Sequence, residues 1–333
     1  VYDPKVIEAV QQTASERECP REIVQREVMS YAREIVPSFN AYLYFRIGYW
    51  IAKKIARLLY RVRIGIAGDE QFRSIDPEST VVFVINHRSN MDYVLVAFLA
   101  AEKTTLSYAV GEWAKIWPLQ TLIRAMGAFF VRRNSSDPLY RRVLERYVHM
   151  ATKEGVCQAV FLEGGLSRDG YMRPPKLGFL DYMLRSYDPA KDRDIVFIPV
   201  GVNYDRTLED RSLLRELDPE AEKRSRWFVI KTTCGFIWKS LILLILSRWQ
   251  RFGYAYVNFG DPVSVRQYCK ENSVDFKKLA RSARFSEVES LAGRLMKAIK
   301  QVIPALPVSL VATVMLQPGQ NGMRAFEVQT EVN

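Results

Sequence analysis

The sequence predicts an α/β fold: a mainly parallel β-sheet flanked by helices, with amphipathic helices at the N-terminus. Three observations carry the prediction. Short β-branched or aromatic runs alternate with helix-like stretches from about residue 61 onward, and such alternation is the pattern of parallel crossover units. The run VVFVI (81–85) is apolar and β-branched, as in a buried strand. It ends in the polar turn NHRSN (86–90) and leads into a second apolar run at 93–101. That is a strand handing over to a helix, and in open α/β sheets ligands bind at this carboxyl end of a strand.

Taken in order, residues 1–37 are charged and helical in pattern, with Pro20 suited to a helix start and Pro37 to a break. This region is expected to be a helical hairpin. Residues 39–63 read as a basic amphipathic helix. Arg46, Lys53, Lys54, Arg57 and Arg61 fall within about a third of a helical wheel, with Trp50 among them. Such a helix suits an anionic membrane interface, or equally a packed helix with a solvated basic face.

Strands are expected at 61–66, 81–85, 105–110, 129–132, 159–162, 195–202 and 254–259. Helices are expected from Asp92, at 113–126, 138–154, 177–186 and 287–302. The charged stretch 206–227 reads as an excursion. The apolar stretch 235–249 is too short and too charged to span a bilayer, which needs about 20 apolar residues. It is expected to be either a buried helix or a membrane-dipping segment. Three regions follow from this pass: 1–60, helical and membrane-associating; 61–265, the α/β unit; and 266–333, helical. The last is expected to open a further region of a longer protein or to end a short one.

Composition narrows the partners. The chain has 333 residues, 48% of them hydrophobic, enough for a sizeable core. A net charge of +11 points to an anionic partner. No zinc-finger spacing or aromatic ribonucleoprotein signature accompanies that charge, so nucleic acid is not expected. The four cysteines are scattered and form no CxxC pair, as expected for reduced thiols. No metal site is expected, because too few His, Cys or paired carboxylates cluster. The polar start lacks a signal-peptide pattern and an initiator methionine, which suggests a processed or excised chain.

His87 and Asp92 are the chemical focus. Imidazole transfers protons near neutral pH, and a carboxylate within reach can fix its tautomer. The competing reading is a surface histidine beside a helix-capping aspartate. The only other histidine, His149, lies in a helical pattern and reads as structural.

Three later stretches bear on that choice: GAFFVRR (127–133), FLEGGLSRDG (161–170) and IPVGVNYDR (198–206). With NHRSNMD (86–92), they resemble the four ordered motifs of the glycerol-3-phosphate and dihydroxyacetone-phosphate acyltransferases, the His-x-x-x-x-Asp acyltransferases. Order, spacing and identity match over about residues 61–261. One departure stands out: the family pattern carries arginine where this chain has Leu166.

The resemblance implies transfer of a fatty acyl group from acyl-CoA or acyl carrier protein to the sn-1 hydroxyl of glycerol 3-phosphate. No cofactor is implied. His87 would be the general base and Asp92 its orienting partner, with no covalent acyl-enzyme. Arg132, Arg133, Ser167 and Arg168 would bind the substrate phosphate. Glu163, Gly164 and Gly165 would shape the glycerol loop, with Glu163 holding an arginine or a hydroxyl. Pro199 would line the acyl side. The place of action would be the cytoplasmic face of a membrane, a bacterial inner membrane or an organelle membrane. Dihydroxyacetone phosphate or lysophosphatidate as acceptor, or a non-catalytic lipid-binding protein on the same fold, are the alternatives.

Overall fold

Strand β2 (Thr80–Ile85) lies inside the sheet, paired in parallel with β5 (Gln158–Phe161) on one side and β6 (Ile195–Tyr204) on the other. In this computed structural model the described residues are 1–66, 69–100, 106–111, 119–132, 135–210 and 251–316. Their sheet also contains β1 (Arg61–Ile66), β3 (Ser107–Gly111), β4 (Ala128–Val131), β7 (Tyr254–Phe259) and a short β8 (Val263–Ser264). The order is β1-β7-β6-β2-β5-β3-β4, with β8 beside β6. The run β6-β2-β5-β3-β4 is parallel throughout. β7 turns antiparallel to β6, while β1 runs parallel to β7. The mainly parallel sheet expected from the sequence is therefore present, and its reversed edge is the part the alternation does not show.

β6 contains Pro199, unusual inside a sheet because proline lacks a ladder donor. Its carbonyl accepts from Gly260 N–H at 2.8 Å, on the side where pairing passes from β8 to β7. A residue's N–H and C=O share one side of a strand. The missing donor thus falls in the gap between two partner strands and breaks no rung.

Side chains alternate across the sheet. Val82, Val84, Ile195 and Phe197 enter one core with the helices α1 (Pro4–Glu16), α2 (Arg21–Ile35), α7 (Pro138–Lys153), α8 (Gly178–Leu184), α9 (Val265–Asn272) and α10 (Arg281–Val302). Ile85, Ile198, Val200, Val202 and Tyr204 enter the other, under α3 (Tyr49–Leu59) and α5 (Met91–Ala100). Two short helices, α4 (Asp69–Arg73) and α6 (Leu119–Ala125), lie in the connections, and α11 (Pro307–Met315) follows α10.

The N-terminal hairpin belongs to the core. Val6, Val10 and Ala14 of α1, with Val24, Val28 and Ile35 of α2, are buried at helical spacing. The bidentate Arg146–Asp3 pair, at 2.9 and 2.8 Å, fastens α1 to α7. α10 likewise buries Val288, Leu291, Leu295 and Ile299 in that core, and it starts earlier than the sequence reading places it.

α3 is shorter than the 39–63 helix expected. It follows a π-helical turn at Leu43–Gly48 and ends at Leu59, so Arg61 opens β1 and does not belong to a helical basic face. The small residues Gly48, Ala52 and Ala56 form its inner ridge. A Cβ on Gly48 would lie 2.9 Å from Met126 Cε, so the helix and this side chain pack closely there. The outer face exposes Arg46, Trp50, Lys54, Arg57 and Leu58.

Candidate active site

The turn after β2 is held open by side-chain bonds at nearly every residue. Asn86 continues the β2–β6 ladder past the end of β2: its Nδ2 donates to Val202 O at 2.9 Å, and its Oδ1 accepts from Val202 N–H at 2.7 Å. His87 follows, almost wholly buried. Its Nδ1 lies 2.9 Å from Asp92 Oδ2, which also accepts from Arg88 N–H at 2.7 Å and Ser89 N–H at 3.0 Å. Asp92 Oδ1 accepts from the Tyr204 hydroxyl at 2.5 Å. Asp92 is fully buried, so four donors replace the water it has lost. The capping reading holds in part, since Asp92 does cap the start of α5, and the same carboxylate also holds the imidazole.

With Nδ1–H directed at a carboxylate, Nε2 carries the lone pair. Among the described residues nothing hydrogen-bonds Nε2. Phe161 stacks on the imidazole with centroids 4.2 Å apart, and Tyr93 meets its edge at 5.4 Å. The ring is thus fixed in plane and tautomer with one nitrogen left to accept a proton, which is the geometry of a general base. Burial and the Asp92 charge push the Tyr204 phenol well above its ordinary range, so it stays protonated and donates.

Glu163, two residues past the end of β5, pairs with no arginine side chain among the described residues. Its Oε1 accepts from His87 N–H at 3.0 Å and its Oε2 from Arg173 N–H at 2.8 Å. Four residues later, Ser167 N–H donates to His87 O at 2.9 Å. The glycine loop therefore grips His87 by both its amide and its carbonyl. Gly164 adopts φ 66°, and a Cβ there would meet Lys176 Cγ at 2.8 Å, so the tight turn requires glycine. Ser167 is buried and its hydroxyl donates to Tyr171 O at 2.8 Å, a loop-closing bond. Arg168 is exposed on the loop.

The amides of residues 87–92 are all engaged: His87 by Glu163, Arg88 and Ser89 by Asp92, Asn90 by Glu209, Met91 by Ser89 Oγ and Asp92 by Ser89 O. The amides of Gly165 and Leu166 have no partner among the described residues.

Two expected site residues stand elsewhere. Arg132 makes a bidentate pair with Glu34 at 3.0 and 2.6 Å, and its guanidinium lies against the rings of both Tyr31 and Tyr140. The Glu34 carboxylate raises its pKa further. β4 is three strand spacings from β2, about 14 Å. Arg132, expected at the phosphate, thus fastens α2 to the sheet and is not brought beside His87. Pro199, expected on the acyl side, is buried in β6 on the face opposite Tyr204 and is not brought beside His87. Arg133 and the 235–249 segment lie outside the described residues.

Three residues of the centre escape the sequence reading: Tyr204, Asn86 and Glu209, which accepts from Ser89 Oγ at 2.7 Å and Asn90 N–H at 3.0 Å. Only Tyr204 has a usable signal. Period-two alternation along 195–204 puts it on the face of Ile198, Val200 and Val202, beside the end of β2.

The acyltransferase family model matches residues 63–203, and the model of the glycerol-3-phosphate acyltransferase C-terminal region matches residues 240–333. A curated glycerol-3-phosphate acyltransferase of Pseudomonas entomophila (strain L48) is 30% identical over 331 residues, covering 95% of this chain and 38% of the relative. That of Aeromonas hydrophila is 27% identical over 343 residues, covering 100% of this chain and 41% of the relative. The chain thus spans about two-fifths of the length of these relatives. A solved 1-acyl-sn-glycerophosphate (LPA) acyltransferase from Thermotoga maritima aligns over 86% of this chain and 85% of its own, at 16% identity and a TM-score of 0.39. Through these two family models and these relatives, the chain is similar to the glycerol-3-phosphate acyltransferases along most of its length.

Proposed function

We propose that this chain carries the acyl-transfer centre of a glycerol-3-phosphate O-acyltransferase. The observation that carries the reading is the buried His87–Asp92 pair, 2.9 Å apart, with the carboxylate fixed by three further donors. His87 Nε2 takes the proton of the sn-1 hydroxyl of glycerol 3-phosphate as its oxygen attacks the thioester carbonyl carbon of acyl-CoA or acyl carrier protein. The C–O bond forms and the C–S bond breaks. The imidazolium returns the proton to the departing thiolate, leaving lysophosphatidic acid and free thiol. The amides of Gly165 and Leu166, on the loop that grips His87, are the donors suited to the oxyanion. Ser89 donates its hydroxyl to Glu209 and is not set against the imidazole, in keeping with direct transfer and no acyl-enzyme. No cofactor enters this scheme.

The same reading places the protein on the cytoplasmic face of an anionic membrane. Among the described residues no single helix is long and apolar enough to cross one. The support is the outer face of α3 and the π-helical turn before it, where Arg46, Lys54 and Arg57 interleave with exposed Trp50 and Leu58. Basic heads with amphipathic rings are the composition of an interfacial helix.

Thiol release from a panel of acyl-CoAs and acyl carrier proteins tests the reading, with glycerol 3-phosphate, dihydroxyacetone phosphate and lysophosphatidate as acceptors. Glycerol 3-phosphate should be preferred, and His87→Ala should lose ~10²-fold or more of kcat. Thiol release that survives His87→Ala at more than about a tenth of the original rate would rule out this base.

A further inference from the structure

An anionic substrate at His87 needs cations, and two expected ones are missing there. Arg132 is committed to Glu34, and Leu166 stands where the related motif has arginine. Two other arginines border the same loop. Arg88 directly follows His87, and its amide is fixed on Asp92 at 2.7 Å. Its Nη1 lies 3.0 Å from where a Cβ of Gly170 would be, and Gly170 has φ 84°. The loop thus makes room for this guanidinium with a residue that lacks a side chain. Arg173 has its amide fixed on Glu163 Oε2 at 2.8 Å. Its side chain turns back over the loop, with Nη1 3.4 Å from where a Cβ of Gly165 would be.

Neither guanidinium has a hydrogen-bond or ion-pair partner among the described residues. The nearby carboxylates already have donors: Glu163 and Asp92 as above, and Asp169 from Tyr171 N–H at 3.0 Å. Arg88 is half-buried, and burial lowers its pKa against the pull of Glu163, Asp92 and Asp169. A guanidinium partly withdrawn from water with its donors unused is suited to an anion, and its planar fork matches phosphate.

We propose that Arg88 and Arg173 form the anion-binding edge of the His87 site and take a phosphate group. Arg173 brings a guanidinium beside Gly165 from further along the loop, next to the position that Leu166 leaves apolar. The proposal rests on the acyl-transfer reading for its setting. The phosphate has two sources, the acceptor or the coenzyme A part of the donor.

The test uses the full-length protein and the variants Arg88→Gln, Arg173→Gln and Arg173→Gln with Leu166→Arg. Acceptor and donor are varied separately, and the donor is either an acyl-CoA or a phosphate-free N-acetylcysteamine thioester. Glutamine cannot replace the charge-assisted hydrogen bonds of arginine, so each substitution should raise KM by about 10- to 100-fold. If the phosphate is the acceptor's, each single variant raises the glycerol 3-phosphate KM by that factor, with kcat and both donor KM values within about threefold. If it is the donor's, the acyl-CoA KM rises and the N-acetylcysteamine thioester KM does not. Leu166→Arg should restore at least part of what Arg173→Gln loses. Unchanged KM values for all substrates overturn the proposal, as does an equal rise for all of them with a lowered melting temperature.

Calorimetric titration with inorganic phosphate separates this proposal from the reaction itself. Weaker phosphate binding in the variants of a protein without turnover keeps the anion site and removes the acyl-transfer reading. Equal phosphate binding in all variants removes the anion site whatever the turnover.

Discussion

Tyr204→Phe removes one atom from the centre, and its effects can be sized. The Tyr204 hydroxyl donates to Asp92 Oδ1 at 2.5 Å, and both residues are buried. Phenylalanine keeps the ring and its packing against Tyr60, 5.1 Å between centroids. It leaves Oδ1 of a buried carboxylate with no donor, while Oδ2 keeps its three. Hydrogen bonds to charged groups contribute about 1.5–3 kcal/mol, and a buried unsatisfied acceptor costs about the same. If about half of that acts on the orientation of Asp92, kcat should fall ~10-fold, since about 1.4 kcal/mol is a factor of ten. The phenol touches no substrate in the proposed step, so both KM values should stay within about twofold. Stopped initial-rate assays at saturating donor read kcat, and thermal melts by circular dichroism read folding.

The phenol adds a pH signature. Burial and the Asp92 charge raise its pKa well above the ordinary value near 10. A group whose pKa is raised on folding contributes stability that is complete below its unfolded pKa and is lost as pH rises through the folded one. Wild-type kcat should therefore show no loss from phenol ionisation up to about pH 10, and the Tyr204→Phe melting temperature should approach the wild-type value above it. Unchanged kcat in Tyr204→Phe, or a KM rise with unchanged kcat, would refute the positioning role.

Two further substitutions test packing and docking. A Cβ on Gly201 would lie 2.5 Å from Val302 O and 2.6 Å from Ile303 N, both backbone atoms at the end of α10; Gly201→Ala should therefore destabilise the protein by about 1–3 kcal/mol in denaturant melts, and an unchanged midpoint would show that α10 shifts freely. Charge reversal at Arg46, Lys54 and Arg57 should release the protein from anionic vesicles in low salt, since each basic residue near such a surface is worth about 1 kcal/mol; vesicle co-sedimentation that does not change, with folding intact by circular dichroism, would remove α3 as the anchor.

Much of this protein is set by its sequence alone. The apolar, β-branched runs at 81–85, 159–162 and 195–202 required buried strands, because no other element matches their length and branching. The polar turn NHRSN between two apolar runs put His87 at a strand end, and a carboxylate, Asp92, follows five residues on at the start of the next helix. These are local properties, and local pattern shows them. What tertiary structure decided is which charges stay available. Arg132 reads in sequence as a phosphate fork, yet Glu34, 98 residues earlier, takes two of its donors in a bidentate pair. Glu163 reads as a substrate contact, yet its two oxygens hold the amides of His87 and Arg173. Tyr204 meets Asp92 across 112 residues only because β6 lies beside β2. A hydrogen bond or ion pair satisfies a donor by distance in space, and sequence separation carries no information about that distance until the strand order is known.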